Sequence, residues 1–145
     1  MELLVMIKID GQRCALRALQ VHSVIEIEAI TAVPHAPDHI LGLCTKRSQT
    51  LTVIDCLRAA GKSKQVNPLG KRAAVVEHEG HVYALLVDEV EDVEDSTNEI
   101  VAVEGGYGTE WSYLAEGMVE TAQGPALLLN IDRLIAGAGG IQKAA

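Results

Sequence analysis

The chain contains one short pattern twice, and this repeat constrains its fold more than any other feature of the sequence. Residues 42–57 and residues 117–134 each combine a strand-like stretch, a polar turn and an apolar strand with an acidic residue placed to cap a short helix. The capping candidates are Asp55 and Asp132. A strand, turn, strand and cap that recur in one chain predict two similar β modules packed together. We expect the crevice between two such modules to be the place where a binding protein engages its partner.

Short strand signals separated by turn signals occupy most of the remaining sequence. Asp10-Gly11 and Glu79-Gly80 each lie between apolar stretches, and glycine there supplies the positive φ that a tight hairpin turn requires. Residues 19–27 are predicted to form one helical turn followed by a strand. Short strands at this spacing favour small barrels over a helical bundle or an alternating βαβ sheet.

The chain is predicted to be one domain, residues 1–145, made of two subdomains. The first is predicted to span about 3–61 and the second about 71–136. Between them, 62–70 is rich in Lys, Asn, Pro and Gly, a composition typical of a linker. Residues 136–145 are predicted to be a frayed tail.

Composition limits the class of protein. Hydrophobic residues make up 48% of the 145 residues, which is enough for a core, and the absence of Phe leaves Val, Ile, Leu and Ala to build it. The formal charge of −8 repels phosphate backbones, which argues against nucleic acid as a partner. The sequence has no run of 18 apolar residues, which argues against direct membrane insertion.

The cysteines and the N-terminal residues indicate a cytoplasmic protein. Cys14, Cys44 and Cys56 are odd in number and lie within apolar patterns. We therefore expect buried, reduced thiols, and neither a disulfide framework nor a metal site. Glu2 stands where a signal peptide requires positive charge.

The sequence contains no convincing catalytic set. His35 and His39 could align two metal ligands on a helix, but Pro37 between them disrupts that helix. The acidic residues of 88–95 are interspersed with valines, which favours the solvated face of a half-buried strand over acid–base chemistry or a calcium loop. The glycine-rich stretch 105–108 lacks the following Lys of a phosphate loop. We predict a binding protein that is not an enzyme and holds no cofactor.

Seven segments follow one another along the chain, at residues 7–18, 21–24, 33–37, 42–48, 52–56, 85–93 and 127–134. Their order and spacing resemble those of the CheW-like coupling proteins of bacterial chemotaxis. In that family they are an opening hairpin, a Val-x-x-Val region, an x-Pro-x-x-Pro loop, a Gly-x-x-Asn-Leu-Arg-Gly segment, a Pro-Val-Ile-Asp-Leu segment, a Val-Asp-x-Val-x-x-Val strand, and a closing strand with its helix.

The resemblance implies a mainly β protein built from two small, five-stranded SH3-like barrels with short helices. It implies a non-catalytic adaptor that couples the regulatory domain of a chemotaxis histidine kinase to the cytoplasmic tip of a chemoreceptor, which is a helical hairpin. The residues it implies for partner binding are Val21, Ser23, Val24, Gly42, Arg47, Val90 and Val93.

The roles of these residues are likewise implied by the resemblance. Val21 and Gly42 would lie on the surface that faces the kinase. Arg47 would lie near the receptor groove, where its planar guanidinium can hold a carboxylate in two places. Val90 and Val93 would lie at or near the same groove.

The chain departs from the family pattern around the motif arginine. Thr45, Lys46 and Ser48 replace the Asn, Leu and Gly of the segment, and Ser23 stands where many relatives have a Glu that pairs with the arginine. A divergent regulator that binds only one of the two partners, or a small-molecule-sensing module, are the alternative predictions.

The same departures leave Arg47 without its usual partner in the family. Glu26 or Glu28 would have to reach its guanidinium to replace the missing Glu.

Overall fold

Ten strands form two five-stranded sheets of identical topology in the computed structural model, which describes residues 2–63, 67–96, 99–103 and 105–137. One sheet consists of β1 (Leu3–Ile9), β2 (Gln12–Arg17), β8 (Glu89–Asp95), β9 (Ala115–Thr121) and β10 (Gly124–Leu129). The other consists of β3 (Val21–Glu26), β4 (Ile40–Lys46), β5 (Gln49–Asp55), β6 (Arg72–His78) and β7 (His81–Leu86). Their strand orders are β8-β1-β2-β10-β9 and β3-β6-β7-β5-β4. The predicted mainly β fold with two five-stranded units is confirmed.

Each sheet is closed by one bridge between its two edges. We call the sheet formed by both ends of the chain the terminal barrel, and the sheet of β3 to β7 the inserted barrel. In the terminal barrel the segment after β8 reaches β9, where Val101 pairs with Met118. In the inserted barrel the segment after β3 reaches β4, where Thr31 pairs with Leu43.

The repeated sequence unit corresponds to β4, β5 and the helix α1 (Cys56–Ala59) in one barrel, and to β9, β10 and the helix α3 (Ile131–Ala136) in the other. The Asp55 carboxylate accepts a hydrogen bond of 3.1 Å from the Leu57 amide and caps α1, as predicted. The cap of α3 is Asn130, whose side-chain oxygen accepts from the Arg133 amide at 3.1 Å. The prediction of Asp132 as the second cap is wrong, because Asn130 occupies the position equivalent to Asp55.

The predicted boundaries of the subdomains differ from the observed sheets. Residues 3–61 and 71–136 do not each form one barrel, because β1 and β2 pair with strands from the end of the chain. The parallel pairing of β2 with β10 makes this connection, and the inserted barrel lies between them in sequence. The predicted linker, 62–70, instead connects α1 to β6 within the inserted barrel, and Gly70 donates a backbone hydrogen bond to Ile27.

Two local predictions are confirmed by the backbone. A 3-10 turn (Ala18–Gln20) followed by β3 occupies the stretch for which a helical turn and a strand are predicted. Asp10, Gly11, Glu79 and Gly80 all have positive φ, as two-residue hairpin turns require.

The remaining helix, α2 (Thr109–Leu114), was not predicted. Trp111 and Leu114 are buried and anchor it in the core. No helix in the described residues is long and apolar enough to cross a membrane. Of the predicted frayed tail, only Ala136 and Gly137 fall within the described residues.

The largest core cluster lies between the two barrels, and each barrel has a smaller interior cluster of its own. On β1, Val5, Ile7 and Ile9 face the shared core, whereas Leu4 and Met6 face the interior of the terminal barrel. Because a strand exposes alternate residues to opposite sides, both faces of β1 are apolar and both are buried. The shared core therefore fixes the two barrels against each other.

Candidate partner-binding surfaces

Val90 and Val93 lie on the same face of β8 although they are three residues apart. Val90 pairs with Ile7 and Val93 pairs with Val5, so that three residues of β8 span two residues of β1. This irregularity is a β-bulge, and it brings both valines to the side of the sheet that faces the shared core. Strict alternation would have placed them on opposite sides.

Val21 and Val24 occupy the equivalent positions of β3. Val21 pairs with Val76 and Val24 pairs with Ala74, again with a register shift between them. The Val-x-x-Val motif is therefore present once in each barrel, with the same bulge. Ser23 lies within this bulge and is exposed.

In each pair the first valine packs on the shared core and the second is accessible. Val21 and Val90 are partly buried against this cluster. Val24 is 41% exposed and Val93 is 57% exposed. An apolar side chain at the margin of a core, half open to water, is a suitable anchor for a partner.

Gly42 is buried and has a structural role in β4. A Cβ atom there would overlap the Thr31 carbonyl oxygen at the bridge that closes the inserted barrel, and its φ of 144° is one that L side chains rarely adopt. Because Gly42 is buried and has no side chain, its predicted role in kinase binding would depend on the backbone that it holds in place.

Arg47 lies at the tip of the turn between β4 and β5. Arg47 and Ser48 both have positive φ, at 50° and 66°, and both are exposed. No residue in the described part of the chain forms an ion pair with Arg47. Lys46, and not Arg47, approaches the two candidate glutamates: its ammonium lies 3.5 Å from the Glu28 carboxylate and 3.5 Å from the Glu26 carbonyl oxygen.

Strand β8, which carries most of the acidic residues of 88–95, forms two ion pairs that the sequence analysis did not predict. Glu91 and Glu94 point toward Arg13 on β2, with ion-pair distances of 3.4 Å and 2.6 Å, and their side chains are only 27% and 16% exposed. The prediction of a purely solvated acidic face is therefore wrong for these two residues. The available signal was a basic residue, Arg13, in a strand that is otherwise largely apolar. The sequence does not show that this residue lies near β8, because only the pairing of β1 with both β2 and β8 brings them together.

The three cysteines are free and buried. Burial raises the pKa of the Cys14 and Cys56 thiols far above its ordinary value. Burial also raises the pKa of Cys44, although the nearby Lys46 ammonium opposes the shift. Thiols that remain protonated at neutral pH are poor nucleophiles, in keeping with structural roles.

The two candidate metal-binding histidines are placed differently from each other. His35 is exposed, and His39 donates from Nε2 to the Ile135 carbonyl oxygen at 2.6 Å, which ties α3 to the inserted barrel. Within residues 2–63, 67–96, 99–103 and 105–137, no three His, Cys, Asp or Glu side chains cluster as a metal site would require.

Two interlocked barrels with an accessible apolar surface beside their shared core define a scaffold for protein–protein contacts. A model of the CheW-like domain family matches residues 3–138, and the chain belongs to this family. The resemblance inferred from the motifs is confirmed. CheW-like proteins are non-catalytic scaffolds, which agrees with the prediction that the chain is not an enzyme.

Two individual proteins illustrate the relationship. A probable chemotaxis protein CheW from Rhizobium etli is 29% identical over 99 residues, which cover 68% of this chain and 63% of that relative. The match thus spans less than two thirds of the relative's length. The crystal structure of the scaffolding protein TtCheW from Thermoanaerobacter tengcongensis matches with a TM-score of 0.78 and 24% identity, over 92% of this chain and 86% of that one. This second likeness supports the fold.

Proposed function

We propose that the protein is a cytoplasmic chemotaxis adaptor that couples the regulatory domain of a histidine kinase to the cytoplasmic tip of a chemoreceptor. The observation that carries the proposal is the placement of Val90 and Val93 on one face by the β-bulge, at the margin of the shared core. Membership of the CheW-like family supports the same role.

The receptor is proposed to dock on the terminal barrel beside Val93. Leu3 lies on the same face as Val93, since Leu3 pairs with Asp95 two residues further along β8, and it is also exposed. One apolar stripe of a receptor helix can cover these side chains, and burial of apolar area supplies most of the affinity. The exposed carboxylates of Asp92 and Asp95 would form a rim that affects the association rate and orientation more than the affinity.

The kinase regulatory domain is proposed to dock on the inserted barrel. Val24 occupies there the position that Val93 has in the terminal barrel, and it is likewise accessible. Because the two surfaces belong to different barrels held by one rigid core, both partners could bind at the same time. Simultaneous binding is what an adaptor requires.

Arg47 is proposed to contribute to binding as an exposed cation at the turn of the inserted barrel. With no ion-pair partner in the described residues, its guanidinium is free to hold a carboxylate of either partner. We expect Arg47→Ala to weaken the capture of one partner by roughly fivefold without a change in stability, because a rim ion pair contributes modestly. Unchanged capture of both partners in a pull-down would remove this role.

The decisive experiment compares two matched substitutions by isothermal titration calorimetry. Val93→Asp should weaken binding of a purified receptor-tip hairpin at least tenfold, and Val24→Asp should do the same for the purified kinase regulatory domain. Leu69→Asp is the control, because Leu69 is 52% exposed and lies outside the strands. Size-exclusion chromatography of the three proteins together should give a ternary complex. Capture of a single partner would instead favour a regulator that binds only one.

A further inference from the structure

The terminal barrel closes the gap between its edge strands, β8 and β9, with a partly buried charge network. Arg13 reaches from β2 and contacts Glu94 on β8 at 2.6 Å and the Thr121 hydroxyl on β9 at 2.6 Å. Its side chain is only 15% exposed. One guanidinium therefore spans the opening and binds both edges.

The inserted barrel has the same opening without this closure. The pairing registers make Val82, Ile25 and Lys46 the equivalents of Arg13, Glu94 and Thr121. No ion pair can start from the central strand, since that position is a valine. The gap is crossed instead by the ion pair of Lys46 on β4 with Glu28, at 3.5 Å. A cavity of about 390 Å³ remains there, and its apolar lining includes Ile25, Ile27 and Leu43.

Backbone groups on both sides of this cavity point into it and have no strand partner among the described residues. Leu43 uses its amide and carbonyl to bond Thr31, so Thr45, two residues further along β4, directs the same groups toward the cavity. The bridge does not continue to Thr45 within the described residues. On the other side, the Ile27 amide and carbonyl form hydrogen bonds with Lys71 and Gly70. The backbone groups of the alternate residues Glu26 and Glu28 therefore face the opening. The Lys46 ammonium approaches the Glu26 carbonyl at 3.5 Å, where a strand would supply an amide.

From this geometry, and resting on the proposed function, we infer that the opening of the inserted barrel accepts an extended segment of the kinase regulatory domain. The segment would add to the edge of β4, hydrogen-bond the Thr45 backbone, and place an aliphatic side chain in the cavity. Lys46 and Arg47 border the β4 side, so an acidic residue beside the aliphatic one would be complementary in charge. The Lys46–Glu28 ion pair is largely exposed and would open at little cost.

The helical receptor tip does not suit this opening. A helix satisfies its own backbone amides and carbonyls, so it cannot supply the hydrogen bonds that an unpaired strand edge lacks. The kinase domain is therefore the partner assigned to the cavity.

Thr45→Pro tests the inference by removing the one amide that the added strand would use. That amide lies outside the β4–β5 ladder, so the substitution should leave the barrel folded. We expect Thr45→Pro to weaken binding of the purified kinase regulatory domain at least tenfold in calorimetry, and to leave the affinity for the receptor-tip hairpin unchanged. The matched control Thr45→Val keeps the amide and should bind both partners within twofold of the parent.

A measurement on the unaltered chain keeps the test valid if the proline variant does not fold. The Thr45 amide borders the cavity and lies outside the β4–β5 ladder, so in the free protein it can exchange its hydrogen with solvent. Saturation with the kinase domain should slow hydrogen–deuterium exchange of this amide at least fivefold, as measured by NMR, and the receptor hairpin should not.

The outcomes separate failure of the inference from failure of the proposed function. Kinase binding that survives Thr45→Pro, or unchanged exchange of the Thr45 amide in the kinase complex, would overturn the inference and leave the adaptor role intact. If the unaltered protein bound neither partner, both proposals would be wrong.

Discussion

The two barrels have the same strand order and the same bulges, yet they fill the equivalent gap in opposite ways. In the terminal barrel, Arg13 joins both edges through charged and polar groups. In the inserted barrel the equivalent residue is Val82, and a cavity remains. Topology therefore follows from the shared strand pattern, whereas the character of each opening depends on the few side chains at the equivalent positions of the central and edge strands.

The largest expected difference between the barrels concerns the glycines at their bridges. Gly42→Ala should lower the free energy of unfolding by about 3 kcal/mol, because a Cβ would overlap the Thr31 carbonyl and the φ of 144° would be strained. Gly117→Ala should cost less, about 2 kcal/mol, because no positive φ is involved and its closest neighbour is the Ile100 side chain, which can move, although a Cβ would also lie 2.8 Å from the Val101 carbonyl oxygen. Urea unfolding of both variants measures the difference. Equal losses of free energy of unfolding would show that the strained φ of Gly42 adds nothing to the cost of the substitution.

The next effect tests whether the charge network stabilises the terminal barrel. Arg13→Met should lower the free energy of unfolding by about 2 kcal/mol, because Glu91 and Glu94 would lose their counter-ion at partly buried positions. The value is below that of a fully buried pair, since water still reaches the carboxylates. Arg58→Met is the control, because its ion pair with Asp38 is largely exposed and should contribute under about 0.5 kcal/mol. A loss for Arg13→Met no larger than the control would contradict a closing role.

A smaller effect is expected when the network is transplanted into the inserted barrel. Val82→Arg and Ile25→Glu should each destabilise the protein alone. Combined, they should recover about 1 kcal/mol relative to the sum of the single losses, because the two charges then lie at the positions of Arg13 and Glu94. A double-mutant cycle in urea measures the coupling. Strictly additive losses would show that the two introduced charges do not interact, and thus that positions 82 and 25 do not reproduce the contact of Arg13 with Glu94.

The smallest expected effect concerns the hairpin turns. Ser48 has a φ of 66° in the β4–β5 turn, so Ser48→Gly should raise the free energy of unfolding by about 0.5 kcal/mol. In the β9–β10 turn the positive φ falls on Gly124, and Gln123→Gly should give no gain. Thermal melts of the two variants would test this, and a gain at both turns would point to a cause other than backbone strain.

Much of the fold could be predicted from local patterns. The tight turns at Asp10-Gly11 and Glu79-Gly80 were identified because a glycine between apolar stretches has few alternatives. The duplicated unit correctly indicated two similar modules, since each copy forms an antiparallel pair followed by a capped helix. The cap at Asn130 was misassigned because Asp132, two residues further along the chain, offers the same chemistry.

Membership of the two barrels could not be predicted from the same patterns. Alternation identifies a strand, but it carries no information about which strand lies beside it. The pairing of β2 with β10 is parallel and joins residues more than one hundred positions apart, so no turn signal marks it. Sequence order therefore suggested two consecutive modules where the structure inserts one barrel within the other.

The sequence by itself determined the strands, the turns, the apolar core and the family, because each of these depends on neighbouring residues or on motifs in a fixed order. Tertiary structure alone decided which strands meet, and with them the common face of Val90 and Val93, the contact of Arg13 with Glu94, and the open cavity beside Thr45. Each of these features requires groups distant in sequence to lie within a few ångströms, and long-range pairing is the one property that local patterns do not encode.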